Sequence, residues 1–150
     1  MKRLRVIVLL GVALLLWTTA ATLAAEYGIG YQFFAPFSGL SVKIPLNEDL
    51  TLQPVAIAHS DQDGSSYTLA GRLLFDLGEK NGIARYWAAG AGIRQRQQQT
   101  MGVNVSLGAE FRKAQFGAPS IEVAVYAGKE EGSAAPLWGT ALNFGWHFWF

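Results

Sequence analysis

The chain has 150 residues, 51% of them hydrophobic and 15% charged, with a net charge of +1 and no cysteine. The lack of cysteine excludes disulfides and thiolate metal sites, and stability has to come from packing and pairing instead. The positive sign belongs to the amino-terminal segment: taking the three basic residues of positions 1–24 from 12 leaves 9 against 11 acidic residues, a balance of −2, which gives no ground for a nucleic-acid partner.

Lys2, Arg3 and Arg5 precede an uncharged apolar run from Val6 to Trp17, followed by a Thr/Ala-rich stretch from Thr18 to Ala25. These are the n-, h- and c-regions of a secretory signal peptide, residues 1–24, with cleavage after Ala24 or Ala25. An uncleaved anchor is the competing reading, because Val6 to Ala25 is 20 uncharged residues and could just span a bilayer. Residues 25–150 form one domain in length. No run in them approaches the roughly 20 apolar residues of a transmembrane helix.

A period of two organises the rest into eight segments separated by turn chemistry. The first, Glu26 to Ala35, sets Tyr27, Ile29, Tyr31 and Phe33 against Gly28, Gly30, Gln32 and Phe34, and Pro36, Ser38 and Gly39 break it. The second, Leu40 to Leu46, has Leu40, Val42 and Ile44 opposite Ser41 and Lys43 and closes at Asn47-Glu48-Asp49. In the third, Leu50 to His59, Leu50 and Leu52 disagree in parity with Val55 and Ile57, which predicts a bulge near Pro54. After a polar loop at Ser60 to Ser65, the fourth opposes Tyr67, Leu69, Leu73, Phe75 and Leu77 to Ser66, Thr68, Arg72 and Asp76, and Gly78 to Gly82 is a tight turn. The fifth, Ile83 to Arg94, has Trp87, Ala89, Ala91 and Ile93 on one face, with Gly90 and Gly92 on the other leaving room for side chains from across a narrow lumen. The sixth, Met101 to Phe111, alternates most cleanly, with Val103, Val105 and Leu107 opposite Asn104, Ser106 and Glu110. The seventh has Ile121, Val123, Val125 and Ala127 opposite Glu122, Ala124 and Tyr126. In the eighth, Leu142, Phe144, Trp146, Phe148 and Phe150 alternate with Asn143, Gly145, His147 and Trp149.

That last pattern resembles the carboxy-terminal targeting strand of bacterial outer-membrane β-barrels, in which a final Phe and alternate apolar residues are read by the barrel-insertion machinery. With the signal peptide, it makes the whole of 25–150 resemble a small eight-stranded outer-membrane barrel of the OmpA-transmembrane, OmpX or OmpW kind. The resemblance implies an all-β, antiparallel, up-and-down transmembrane barrel in the bacterial outer membrane. The implied partners are outer-membrane lipid, periplasmic chaperones and the insertion machinery. An even strand count puts both ends of the barrel on the periplasmic side. The segments Pro36 to Gly39, Ser60 to Ser65, Gln95 to Thr100 and Lys129 to Leu137 then face outward. Eight strands enclose a lumen that side chains can fill, which disfavours a general pore.

Architecture does not fix function. Lipid A acylhydrolases and acyltransferases use barrels of this size, and the hydrolase chemistry needs a His beside a Ser with an orienting carboxylate. His59-Ser60 are adjacent and so on opposite faces, and His147 has no Ser near it in sequence. No catalytic residue and no cofactor is assigned on these grounds. Asp61-Gln62-Asp63-Gly64-Ser65 imitates the start of a calcium loop but lacks the downstream Glu, and an Asp-Gly hairpin explains it as well. Arg94 to Gln99 is either a head-group contact or a solvated strand end. Tyr27, Tyr31, Trp87, Trp138, Trp146 and Trp149 read as interfacial girdles. Parity turns Arg72, Glu110 and Glu122 inward, with Lys43 and His147 as neighbours, and predicts a lumen charge cluster with a proton-sensitive gate as its sharper form. A non-enzymatic envelope or surface-interaction barrel is the main expectation. A lipid-modifying enzyme on the same scaffold and a soluble secreted barrel for a small apolar ligand are the alternatives.

Overall fold

The computed structural model describes residues 26–61, 64–113 and 117–150. The expected signal peptide at 1–24 lies outside the described residues, as do Gln62 and Asp63 of the calcium-like loop. The strands are β1 (Gly28–Phe34), β2 (Phe37–Pro45), β3 (Leu50–Asp61), β4 (Gly64–Lys80), β5 (Ile83–Gln95), β6 (Gln99–Phe111), β7 (Ala118–Glu130) and β8 (Leu137–Trp149). Each pairs antiparallel with its neighbours in chain order, and β8 returns to β1, giving a closed eight-stranded up-and-down barrel. Among the described residues no helix is long and apolar enough to cross a membrane, a statement that does not bear on strands.

The period of two decides which face each residue takes. Leu69, Trp87, Val105, Val123, Leu142 and Phe144 project outward and are exposed, whereas Arg72, Ala88, Asn104, Ser106, Glu122 and Asn143 project inward and are buried. The turn between β4 and β5 is Asn81-Gly82, with φ of 58° and 78°, the pair of positive angles that a two-residue hairpin needs and that Asn and Gly tolerate. It is narrower than the expected Gly78 to Gly82. β4 runs on to Lys80 because a register shift between Asp76 and Glu79 absorbs the irregularity around Gly78.

One expected boundary and one expected bulge are corrected. β2 begins at Phe37, and the turn before it is only Ala35 and Pro36, joined by a cis peptide. Gly39 is inside the strand because the Ala56 backbone comes so close that a β-carbon would lie 2.8 Å from its carbonyl oxygen. The expected bulge near Pro54 is also absent: β3 and β4 stay in one register from Leu50↔Phe75 to Asp61↔Gly64. Leu50 and Leu52 face outward, while Val55 points into the barrel and is buried against Phe34 and Phe37. The parity conflict was real and marks an apolar layer inside the lumen.

Candidate functional site in the barrel lumen

Inward positions near the middle of the barrel carry charge, and glycines beside them make the space. Arg72 stands opposite Gly90, where a β-carbon would come within 2.5 Å of the Arg72 Cγ, and Glu122 stands opposite Gly108, where one would come within 2.6 Å of the Glu122 Cγ. Arg72 and Glu122 meet across the lumen at 2.7 Å. The carboxylate also accepts from Asn143 Nδ2 at 2.9 Å, Tyr86 Oη at 2.9 Å and Gln32 Nε2 at 3.5 Å. The guanidinium donates further to Ser106 Oγ at 3.0 Å and Gln53 Oε1 at 3.4 Å. This density of bonds is what two buried charges require, since an unpaired one costs several kcal/mol.

Toward the end of the barrel that holds Gly28 and Trp149, a second cluster forms. Lys43 pairs with Glu110, and Arg112 Nε donates to the other Glu110 oxygen at 3.1 Å. Arg112 reaches on to Glu79 at 3.3 Å, on the partly exposed rim. Trp149, expected in an interfacial girdle, instead faces the lumen, because it shares parity with His147; its ring lies 4.8 Å from Arg112 Cζ and 5.9 Å from Lys43 Nζ. A cavity of about 20 Å³ opens here, bordered by Lys43, Tyr86, Glu110 and Trp149. It has room for about one water molecule.

His147 lies between the clusters. Its Nε2 lies 2.5 Å from Ser41 Oγ and 3.2 Å from Gln53 Nε2, and its Nδ1 lies 4.0 Å from Glu110 Oε2. Lys43, Arg72, Glu110, Glu122 and His147 are thus all inside the barrel, as two ion pairs with a histidine between them whose Nδ1 has no hydrogen-bond partner among the described residues. Sequence reasoning missed Ser41. The chain separates it from His147 by 106 positions, but both stand opposite Gly30, one on each side, once β1 pairs with β2 and β8. The register of barrel closure was the missing signal. His59, in contrast, lies near the far end of β3, away from His147.

The opposite end of the lumen holds an apolar layer. Phe34 and Phe37 pack edge to face with centroids 5.5 Å apart and are fully buried with Val55. The Arg72 guanidinium carbon sits 4.7 Å from the Phe34 ring centroid, so this layer rests on the central ion pair. Among the described residues no group of three or more His, Asp or Glu is placed to hold a metal ion. No family model matches the chain, and no curated protein or solved structure matches it.

Proposed function

We propose that this chain is a small integral protein of the bacterial outer membrane, exported by the signal peptide of residues 1–24, with an envelope or surface-interaction role. One observation carries the reading: the barrel is polar inside and apolar outside. Arg72, Glu110, Glu122, Lys43 and His147 are buried in the lumen, while Leu40, Leu107, Val123, Val125, Leu142 and Phe144 stand on the wall at half exposure or more. Phe75 and Trp87 stack there at 3.9 Å and 5°. A band of that extent is far larger than the apolar patches soluble monomers tolerate, and it matches the lipid-facing band of a membrane barrel. A soluble carrier of an apolar ligand needs the reverse arrangement.

On this reading Leu142, Phe144, Trp146, Phe148 and Phe150 form the strand read by the insertion machinery, and periplasmic chaperones shield the chain before assembly. The filled lumen argues against a general pore. The test is heat-modifiable migration of the protein extracted from outer membranes, with refolding that requires detergent or lipid vesicles. A barrel that folds without either, at the same yield, rejects the proposal.

The contact of Ser41 Oγ with His147 Nε2 favours acyl hydrolysis as a second reading, since it sets a hydroxyl beside an imidazole as nucleophile and base, although Glu110 Oε2 is 4.0 Å from His147 Nδ1, which has no hydrogen-bond partner among the described residues. Against it, all three are buried and Glu110 is already held by Lys43 and Arg112. Labelling by a fluorophosphonate that is lost in Ser41→Ala would establish it, and an unlabelled wild type would discard it.

A further inference from the structure

We infer that the β1–β2 hairpin is a movable stopper, seated in the lumen at the end away from Gly28 and held by a latch of three side chains where sheet pairing has already stopped. The inference needs only the barrel and not its location in a membrane. β1 and β2 end at Phe34 and Phe37, whereas their neighbours continue: registered pairing of β1 with β8 stops at Phe33↔Phe144 and that of β2 with β3 at Leu40↔Ala56, although β8 extends on this side to Leu137 and β3 to Asp61. A gap in the wall therefore stands beside the turn.

The turn bends inward instead of lying in that gap. The Ala35 N–H donates to Asn143 Oδ1 at 3.1 Å, the Ala35 carbonyl accepts from Asn104 Nδ2 at 3.0 Å, and the Pro36 carbonyl accepts from Arg94 Nη1 at 3.0 Å. These side chains come from β8, β6 and β5, so the turn reaches across the lumen. Pro36 Cγ and Phe37 Cζ both come within 3.4 Å of where a Gly102 β-carbon would be, on the far wall. Beneath the turn, Phe34 and Phe37 cover Val55 and Arg72.

Three features let the seat be vacated. The latch consists of hydrogen bonds to side chains, each a modest net contribution, and the outermost of them, from Arg94, is only partly buried. Pairing of β2 with β3 is registered at Leu40, Ser41, Ile44 and Pro45 but lapses between them, opposite Pro54, which has no N–H to give. The open seam between β8 and β3 gives the apolar tip an exit. Seated, the hairpin seals the lumen; withdrawn, it uncovers Val55 and the ion pair of Arg72 with Glu122.

Thiol accessibility tests this on the full barrel in detergent micelles, because the chain has no cysteine of its own. Val55→Cys places a thiol under the stopper, and Ala88→Cys places one among Leu74 and Tyr86 in the other half of the lumen. Removing two of the three latch side chains with Arg94→Ala and Asn104→Ala should raise the rate at which a charged methanethiosulfonate reagent labels position 55 roughly 50-fold, and Arg94→Ala alone roughly 10-fold. Labelling at position 88 should not change. The single substitution leaves Asn104 and the central network in place, so it carries the test if the double variant fails to fold. Equal acceleration at both positions means general loosening and overturns the stopper. No acceleration at position 55 means a fixed hairpin and overturns it too. Labelling at position 55 that is already as fast as at Ser133→Cys, with the latch intact, means the hairpin was never seated. Failure of the barrel to enter vesicles would count against the membrane reading alone.

Discussion

Glu122→Gln removes one charge from the centre of the lumen while keeping the side chain's shape, and it should be among the most destabilising single changes available. At 2.7 Å and an effective dielectric of about 20, the attraction between Arg72 and Glu122 is about 6 kcal/mol. Most of that offsets the desolvation of two groups that are each 1% exposed. Replacing the carboxylate deletes the attraction but leaves the guanidinium desolvated, so the loss should be about 3–5 kcal/mol. Tyr86 can turn its hydroxyl to accept from the new amide, so hydrogen bonding alone would predict a much smaller loss. Arg72→Met should also destabilise, whereas the double variant should fall short of the summed losses by about 2 kcal/mol or more, the signature of a coupled pair. Equilibrium unfolding of the four proteins in guanidinium from lipid vesicles, followed by tryptophan fluorescence, measures this. A loss below about 1 kcal/mol for Glu122→Gln, or additive losses around the cycle, would refute the view that the pair is desolvated and mutually dependent.

Other consequences are as direct. Val105 projects from the wall of β6 at 49% exposure, and Val105→Arg should cost roughly 2–4 kcal/mol in vesicles if that wall faces hydrocarbon; a neutral result would remove lipid from the outer face. The backbone of Phe150 exchanges two hydrogen bonds with Tyr27, at 2.9 and 3.1 Å, and its ring stacks on that of Tyr27 at 5.7 Å. Phe150→Lys keeps the backbone bonds, so refolded stability should fall by only about 1 kcal/mol while assembly in cells drops sharply with export intact; normal amounts of protease-resistant barrel in cells would dismiss the assembly signal. A cysteine at Ser133 should react with an impermeant maleimide on whole cells and one at Asn47 or Asn81 should not, and the opposite pattern would invert the topology.

Parity was the legible part of this fold. On β5 to β8 the outward and inward sets follow from alternation alone, because each residue's face depends only on its own strand. The inward orientation of Arg72, Glu110 and Glu122 came from that rule. Their partners did not: Lys43 with Glu110 and Arg72 with Glu122 depend on which side chains meet across the lumen, a property of strand tilt and stagger. Val55 was misread for a related reason. An apolar residue on an inward face looks like a slip in register until Phe34 and Phe37 are known to share the interior with it. Ser38 and Gly39 were counted as turn formers on composition, although the pressing approach of Ala56 is what demands a glycine there. Ser41 beside His147 was hidden because it arises only where the first and last strands join.

That join sets the order in which the barrel can come to exist. Seven of the eight strand contacts connect neighbours in the chain and can form hairpin by hairpin, but the seam of β1 with β8 ties Gly28 to Trp149, roughly 120 residues apart, at an entropic cost about 3 kcal/mol above that of closing a four-residue turn. Until it closes, the intermediate is a curved open sheet with two bare edges and a greasy convex side, the kind of species that associates with its own copies. Ring closure also assembles His147 with Ser41 and brings Asn143 to the Ala35 turn, so the polar lumen and its stopper are finished in the same step that removes the edges. An unfinished barrel would therefore expose its polar interior and its bare edges at once, and the two defects should disappear together.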